Sequence, residues 1–117
     1  MSKVGNLHLE RGIALKNDGD WHAALVEFQA AVAEEPDSGE AHRQLGLALG
    51  FTGEFDESLE ELKRAVELNN DDIPALIDLS KTYAMLGMYD EARVGFEDVL
   101  RLEPGNEIAR QNLKYLI

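Results

Sequence analysis

Small, aromatic and large apolar residues return every 34 positions along this 117-residue chain. Gly12, Gly46 and Ser80 share one slot, and Gly19, Gly53 and Gly87 a second. Trp21, Phe55 and Tyr89 fill a third, and Ala24, Ser58 and Ala92 a fourth. Phe28, Leu62 and Phe96 follow, then Ala31, Ala65 and Val99. No residue is inserted or deleted between copies, and chance does not bring six slots into agreement three times. The copies run over residues 5–38, 39–72 and 73–106, with a half-copy at 107–117. One unit of this size cannot bury its apolar face alone, so such a chain stacks each copy on the next.

Each copy reads as two helices. Ala41, Leu45, Ala48 and Leu49 recur at the three-and-four spacing of a helical face. Gly53 interrupts them, as a residue tolerant of left-handed backbone does at a helix end. Glu54, Asp56 and Glu57 bring carboxylates to the start of the next helix, whose dipole favours them. Leu59, Leu62, Ala65 and Val66 form the stripe of that second helix. Asn69-Asn70-Asp71-Asp72 ends it, and Pro74 enters the first turn of the following helix. Pro36 and Pro104 terminate the second helices of the other copies. A connection of about three residues forces the two helices of a copy to run antiparallel.

Residue sizes predict how the helices meet. Small residues at Gly12, Gly46 and Ser80, and at Ala24, Ser58 and Ala92, let partner helices approach. Phe28, Leu62 and Phe96 fill the space between neighbouring pairs.

Composition narrows the function. The net charge is −12, which repels nucleic acid and anionic membrane surfaces. A 44% hydrophobic content is too high for a disordered acidic tail. There is no cysteine, so disulfides and thiolate metal sites are excluded. No run approaches the roughly 18 apolar residues of a membrane helix, and the segment Met1 to Asn6 does not resemble a signal peptide. The expectation is a cytoplasmic protein, or a domain of a larger one.

These residues resemble the tetratricopeptide repeat (TPR) family, whose pattern is aromatic-x2-Leu-Gly-x2-Tyr, then Ala-x3-Phe, then Pro, at this period. The third copy shows Leu76, Leu79, Ser80, Tyr83, Ala92, Phe96 and Pro104. The second shows His42, Leu45, Gly46, Leu49, Ser58 and Leu62, with Asn70 in the proline slot. The first shows His8, Gly12, Leu15, Ala24, Phe28 and Pro36, but Arg11 where leucine is expected. The resemblance implies an all-α, right-handed α-solenoid: three antiparallel helix hairpins and a capping helix around a concave groove that binds peptides or folded partners. Arg11 fits a copy with no predecessor, so the solenoid is expected to begin here. Ile108, Ala109, Asn112, Leu113 and Leu116 are expected to cover the third copy, with Arg110, Gln111 and Lys114 toward water.

In this family the first helix of each copy lines the groove. Carried over, that geometry implies a peptide-binding set of Leu9, Ile13 and Lys16, then Arg43, Leu47 and Phe51, then Ile77, Lys81 and Met85. Asn17, Glu40, Gly50, Pro74 and Ala84 lie among them, and Gln111 and Tyr115 extend the wall. The six apolar members have no evident core partner in this register, and exposed apolar patches mark interaction sites. Lys16, Arg43 and Lys81 add positive charge, while the second helices carry most of the acid. The expected ligand is an apolar or amphipathic protein segment bearing a carboxylate. Some family members grip a chaperone's terminal carboxylate with Lys, Asn and Arg side chains. The matching positions here are Leu9, Ile13, Gln44, Ile77 and Lys81, of which only Lys81 has that chemistry.

Signals for catalysis are weak. His8 and His42 share a slot, but Leu76 takes the third place, so they read as packing histidines rather than zinc ligands. His22 reads as solvated. Asn69 to Asp72 lacks the glycine and distal glutamate of a calcium loop. Gly46, Gly50 and Gly53 do not match a dinucleotide fingerprint. Trp21, Phe55 and Tyr89 are expected to lock the hairpin turns. The expectation is therefore a non-enzymatic binding module without cofactor or metal. The alternatives are a subunit that self-associates through the groove or the last helix, and an accessory domain of a larger enzyme.

Overall fold

The computed structural model describes residues 6–116. Seven α-helices follow one another: α1 (Leu7–Asn17), α2 (Trp21–Glu34), α3 (Gly39–Phe51), α4 (Phe55–Leu68), α5 (Ile73–Met85), α6 (Tyr89–Leu102) and α7 (Glu107–Lys114). No strand occurs among the described residues. The architecture is an all-α helical repeat solenoid.

The period dictates where helices start. Ser38, Asp72 and Asn106, each 34 residues apart, accept the backbone N–H of Ala41, Ala75 and Ala109 and cap α3, α5 and α7. The same slot in the first copy is Val4, which has no side-chain oxygen. Asn6 caps instead, accepting from Leu9 at 3.1 Å, and α1 is 11 residues long against 13 for α3. Asn6 also donates to the Ala31 carbonyl at 3.1 Å, tying the start of α1 to α2. α4 and α6 have no side-chain cap, but Asp56, Glu57, Asp90 and Glu91 place negative charge in their first turns.

The three hairpin turns are one turn repeated. Gly19, Gly53 and Gly87 have φ of 86°, 93° and 78°, the left-handed region that favours glycine. The residue after each glycine donates back across the turn, Asp20 to Leu15, Glu54 to Leu49 and Met88 to Tyr83, at 2.8–2.9 Å.

Packing follows the sizes of the repeating residues. Ala24, Phe28, Ala92 and Phe96 are fully buried, and Ser58 and Leu62 nearly so. A methyl group built on Gly12 would lie 2.4 Å from Phe28 Cε1, and one on Gly46 2.8 Å from Leu62 Cγ. The third copy solves the same contact differently. Ser80 occupies the glycine slot, and the missing volume moves to α6, where a methyl on Gly95 would lie 2.0 Å from Ser80 Oγ. Two apolar clusters result, one around Phe28, Leu45 and Leu49, the other around Leu76, Ile77, Phe96, Val99 and Ala109.

Ala92 is fully buried whereas Val94, two residues on, is 55% exposed. Ala92→Leu is therefore expected to cost about 1–2 kcal/mol by overpacking. Val94→Leu should change stability by no more than about 0.5 kcal/mol. Urea unfolding of the two variants checks the register, and equal midpoints would contradict it.

Two expectations need correction. Trp21 does not serve only its own turn: its ring stacks on Phe51 at the end of α3, with centroids 4.0 Å apart and planes 12° apart. It therefore joins the first copy to the second. In α7, Ala109 is buried and Leu113 packs on the second cluster, as does Leu116 just beyond the helix, but Ile108 is 45% exposed. Ile108 sits in the helix's first turn, one residue off the stripe set by Ala109 and Leu113. Ile117 lies outside the described residues.

Candidate functional site

The odd-numbered helices form the inner track. α1 touches α3 and α3 touches α5, whereas the even-numbered helices make no comparable contact with one another. Helices that approach each other on one side of a stack set the concave side there. On it, α3 and α5 straddle α4 and enclose a groove of about 510 Å³.

Four residues expected there line this groove together: Leu47 and Phe51 from α3, Lys81 and Met85 from α5. Phe51 is 65% exposed and Met85 62%, so large apolar side chains face water. Phe51 is nonetheless backed by Trp21, which holds its ring in one orientation. Gly50 also lines the groove, since even a methyl there would lie 3.2 Å from Ser58 Oγ.

The other expected members are elsewhere. Ile77 is only 7% exposed and belongs to the second cluster with Phe96, Val99 and Ala109. Its slot holds Leu9 and Arg43 in the preceding copies; here the branched side chain finds partners in α6 and α7 and is sealed in. Leu9 and Ile13 are partly buried against the first cluster, so they have the core partners that the spacing did not reveal. Met85, Phe51 and Leu47 keep the apolar character of the groove without them.

The cations are also partly committed. Arg43 Nε donates to Asp78 Oδ2 at 2.9 Å, and its Nη1 to Glu40 Oε1 at 3.3 Å. Burial works against the Arg43 charge, but the carboxylates of Asp78, Glu40 and Asp72 together outweigh it and raise the guanidinium above its usual value. Asp78 itself is pushed up by burial, with Arg43 pulling the other way. Lys16 Nζ donates to Gln44 Oε1 at 2.9 Å, and Gln44 in turn donates to Glu40. Lys81 is exposed and makes no ion pair among the described residues, which leaves it as the groove's available cation.

Asp78, Thr82 and Phe55 line the groove and were not anticipated. Asp78 could have been found from Arg43, since adjacent inner helices bring slots 35 residues apart together. Glu27 and Glu61 were missed as partners of the histidines. His8 Nδ1 lies 2.9 Å from Glu27 and His42 Nδ1 2.7 Å from Glu61, both 19 residues on. His42 Nε2 also lies 2.7 Å from the Pro36 carbonyl, so the ring sits between α4 and the turn before α3. His22 is exposed. No helix is long and apolar enough to cross a membrane among the described residues.

Two sequence profiles described as tetratricopeptide repeat match residues 9–73 and 52–114, each more than half of the chain. No curated protein sequence matches it. Among solved structures it resembles the Arabidopsis OM64 TPR domain at 21% identity and TM-score 0.88, covering 94% of this chain and 91% of that one. It also resembles the second TPR domain of human RPAP3, solved with the HSP70 peptide SGPTIEEVD, at 23% identity and TM-score 0.86, covering 93% and 91%. MamA matches at 26% identity and TM-score 0.89, covering 93% of this chain and 64% of that one.

Proposed function

We propose that this chain, which belongs to the tetratricopeptide repeat family, is a non-enzymatic binding module that holds an apolar or amphipathic protein segment in its concave groove. The observation that carries this reading is the exposure of Phe51 and Met85 beside Leu47 in one groove, with Lys81 free to meet a carboxylate. Large apolar side chains left in water beside a concave surface gain most when a partner covers them. The family relationship supports the same role, as does the peptide seen in the human RPAP3 complex.

The groove differs from one built for a tail rich in carboxylates. Arg43 is already held by Asp78 and Glu40, and Ile77 is buried. Affinity therefore comes from apolar contact, and Lys81 sets the register of one acidic group. The groove needs no cofactor for this. A net charge of −12 disfavours nucleic acid as the partner, and the cytoplasm is the proposed location.

Phe51→Glu with Met85→Glu should abolish capture of the concave groove's partner while helicity stays unchanged, because both side chains are already largely exposed. Affinity purification with mass spectrometry, wild type against this variant, makes the comparison. Recovery of every wild-type partner by the variant would sink the reading. A dimer in light scattering that the variant dissolves would assign the groove to a second copy instead.

A further inference from the structure

The outer face of the solenoid changes character between copies. In the first two, a histidine and a glutamate bind the hairpin's helices together, His8 with Glu27 and His42 with Glu61, and a glycine, Gly12 or Gly46, lies one helical turn after the histidine. The third copy alters all three positions at once, to Leu76, Ser80 and Gly95. Val94 also replaces the glutamate that the second copy carries as Glu60. Polar side chains that would lie over the hairpin are thereby removed, and a groove of about 390 Å³ opens between α4 and α6. Leu76, Leu79 and Tyr83 of α5 form its floor, and Val66 and Val94 its walls. Val94 is 55% exposed. None of these residues lines the concave groove.

The surroundings define what could fill it. Asp90, Glu91 and Asp98 border the groove, and no cation does. Its flanking helices α4 and α6 carry nine carboxylates against four cationic side chains. All four cations are already within 4 Å of an acid: Lys63 with Glu60, Arg64 with Asp37, Arg93 with Asp90 and Arg101 with Asp98. Asp56, Glu57, Glu67, Glu91 and Glu97 make no ion pair among the described residues. An apolar trough in an acidic field attracts apolar side chains flanked by lysine or arginine, and it repels acidic segments, nucleic acid and anionic lipid. A second copy of this chain, at −12, is repelled too.

We propose that the groove between α4 and α6 is a second docking site, which takes apolar side chains from a basic segment of another protein. It stands apart from the concave site, and loss of either leaves the other intact.

The test uses the full chain with a short synthetic peptide that has leucines at helical spacing and lysines elsewhere. A counterpart carries glutamates in place of the lysines. On titration with the lysine peptide, the amide resonances of Leu79, Val94 and Gly95 should shift, and the glutamate peptide should leave them unmoved. Leu76→His/Ser80→Gly/Gly95→Glu, which rebuilds the second copy's arrangement, should weaken binding at least about tenfold. Val94→Glu, at an exposed position, should weaken it as well and guards against misfolding of the triple variant. Phe51→Glu/Met85→Glu should bind the lysine peptide as wild type does. Equal affinity of Val94→Glu and wild type would overturn the proposal, as would equal binding of the two peptides or shifts confined to other faces. A dimer that only Val94→Glu dissolves would assign the groove to self-association and overturn it too.

Discussion

Ile77→Glu is expected to destabilise the protein by about 3 kcal/mol or more, with loss of cooperative unfolding in the C-terminal half. Ile77 is 7% exposed within the cluster of Leu76, Phe96, Val99 and Ala109. A carboxylate there must either stay ionised in apolar surroundings or take up a proton. Both cost free energy that water supplied in the unfolded chain. Protonation becomes cheaper as pH falls, so the variant should recover part of its loss in acid. Phe51→Glu is the control: the same change at a 65% exposed position should shift stability by about 0.5 kcal/mol or less, apart from the lost stacking on Trp21. Urea denaturation followed by far-ultraviolet circular dichroism at two pH values measures both. An Ile77→Glu midpoint close to wild type would mean that this side chain faces the groove after all.

That contrast shows where the amino-acid order is informative and where it falls short. The hairpin turns were legible because turn chemistry is local: Gly19, Gly53 and Gly87 turn in register, whereas the caps at Ser38, Asp72 and Asn106, equally periodic, went unread. Leu47, Phe51, Lys81 and Met85 were legible as groove residues because they lie on the inner face of α3 and α5 without an acid or cluster to claim them. Ile77 and Arg43 share a slot yet have different fates. Arg43 is claimed by Asp78 of the next copy, whose slot, one residue on, holds Glu10 and Gln44 in the earlier copies. Ile77 is claimed by partners from the hairpin and α7. A slot describes a direction, and the neighbouring copy decides what is found there. The histidine–glutamate pairs make the same point from the other side. Their spacing of 19 residues was visible twice, and its joint loss at Leu76 and Gly95 was visible too, but only coordinates tie that loss to a groove.

Gly12→Leu should cost about 3 kcal/mol, at the upper end of what overpacking a core produces. Replacing glycine inside a helix ordinarily helps, since a side chain restricts the unfolded chain and gains roughly 0.5–1 kcal/mol. Here the sign reverses. The first added carbon alone would sit 2.4 Å from Phe28 Cε1 and 2.6 Å from Cδ1, and Phe28 is fully buried, so its ring has nowhere to move. The two helices would have to separate, opening the contact that carries the first hairpin. Gly39→Leu tests the argument from the other side, because a carbon added there would meet its nearest atom at 3.6 Å, ordinary contact. That variant should lie within about 0.5 kcal/mol of wild type. Phe28→Leu alone leaves a cavity, but combined with Gly12→Leu it relieves the clash. The double variant should therefore be more stable than the sum of the two losses, by about 1 kcal/mol or more. Thermal and urea unfolding of the four proteins complete the cycle. Strict additivity would show that the close approach of α1 and α2 at Gly12 does not limit the size of this slot.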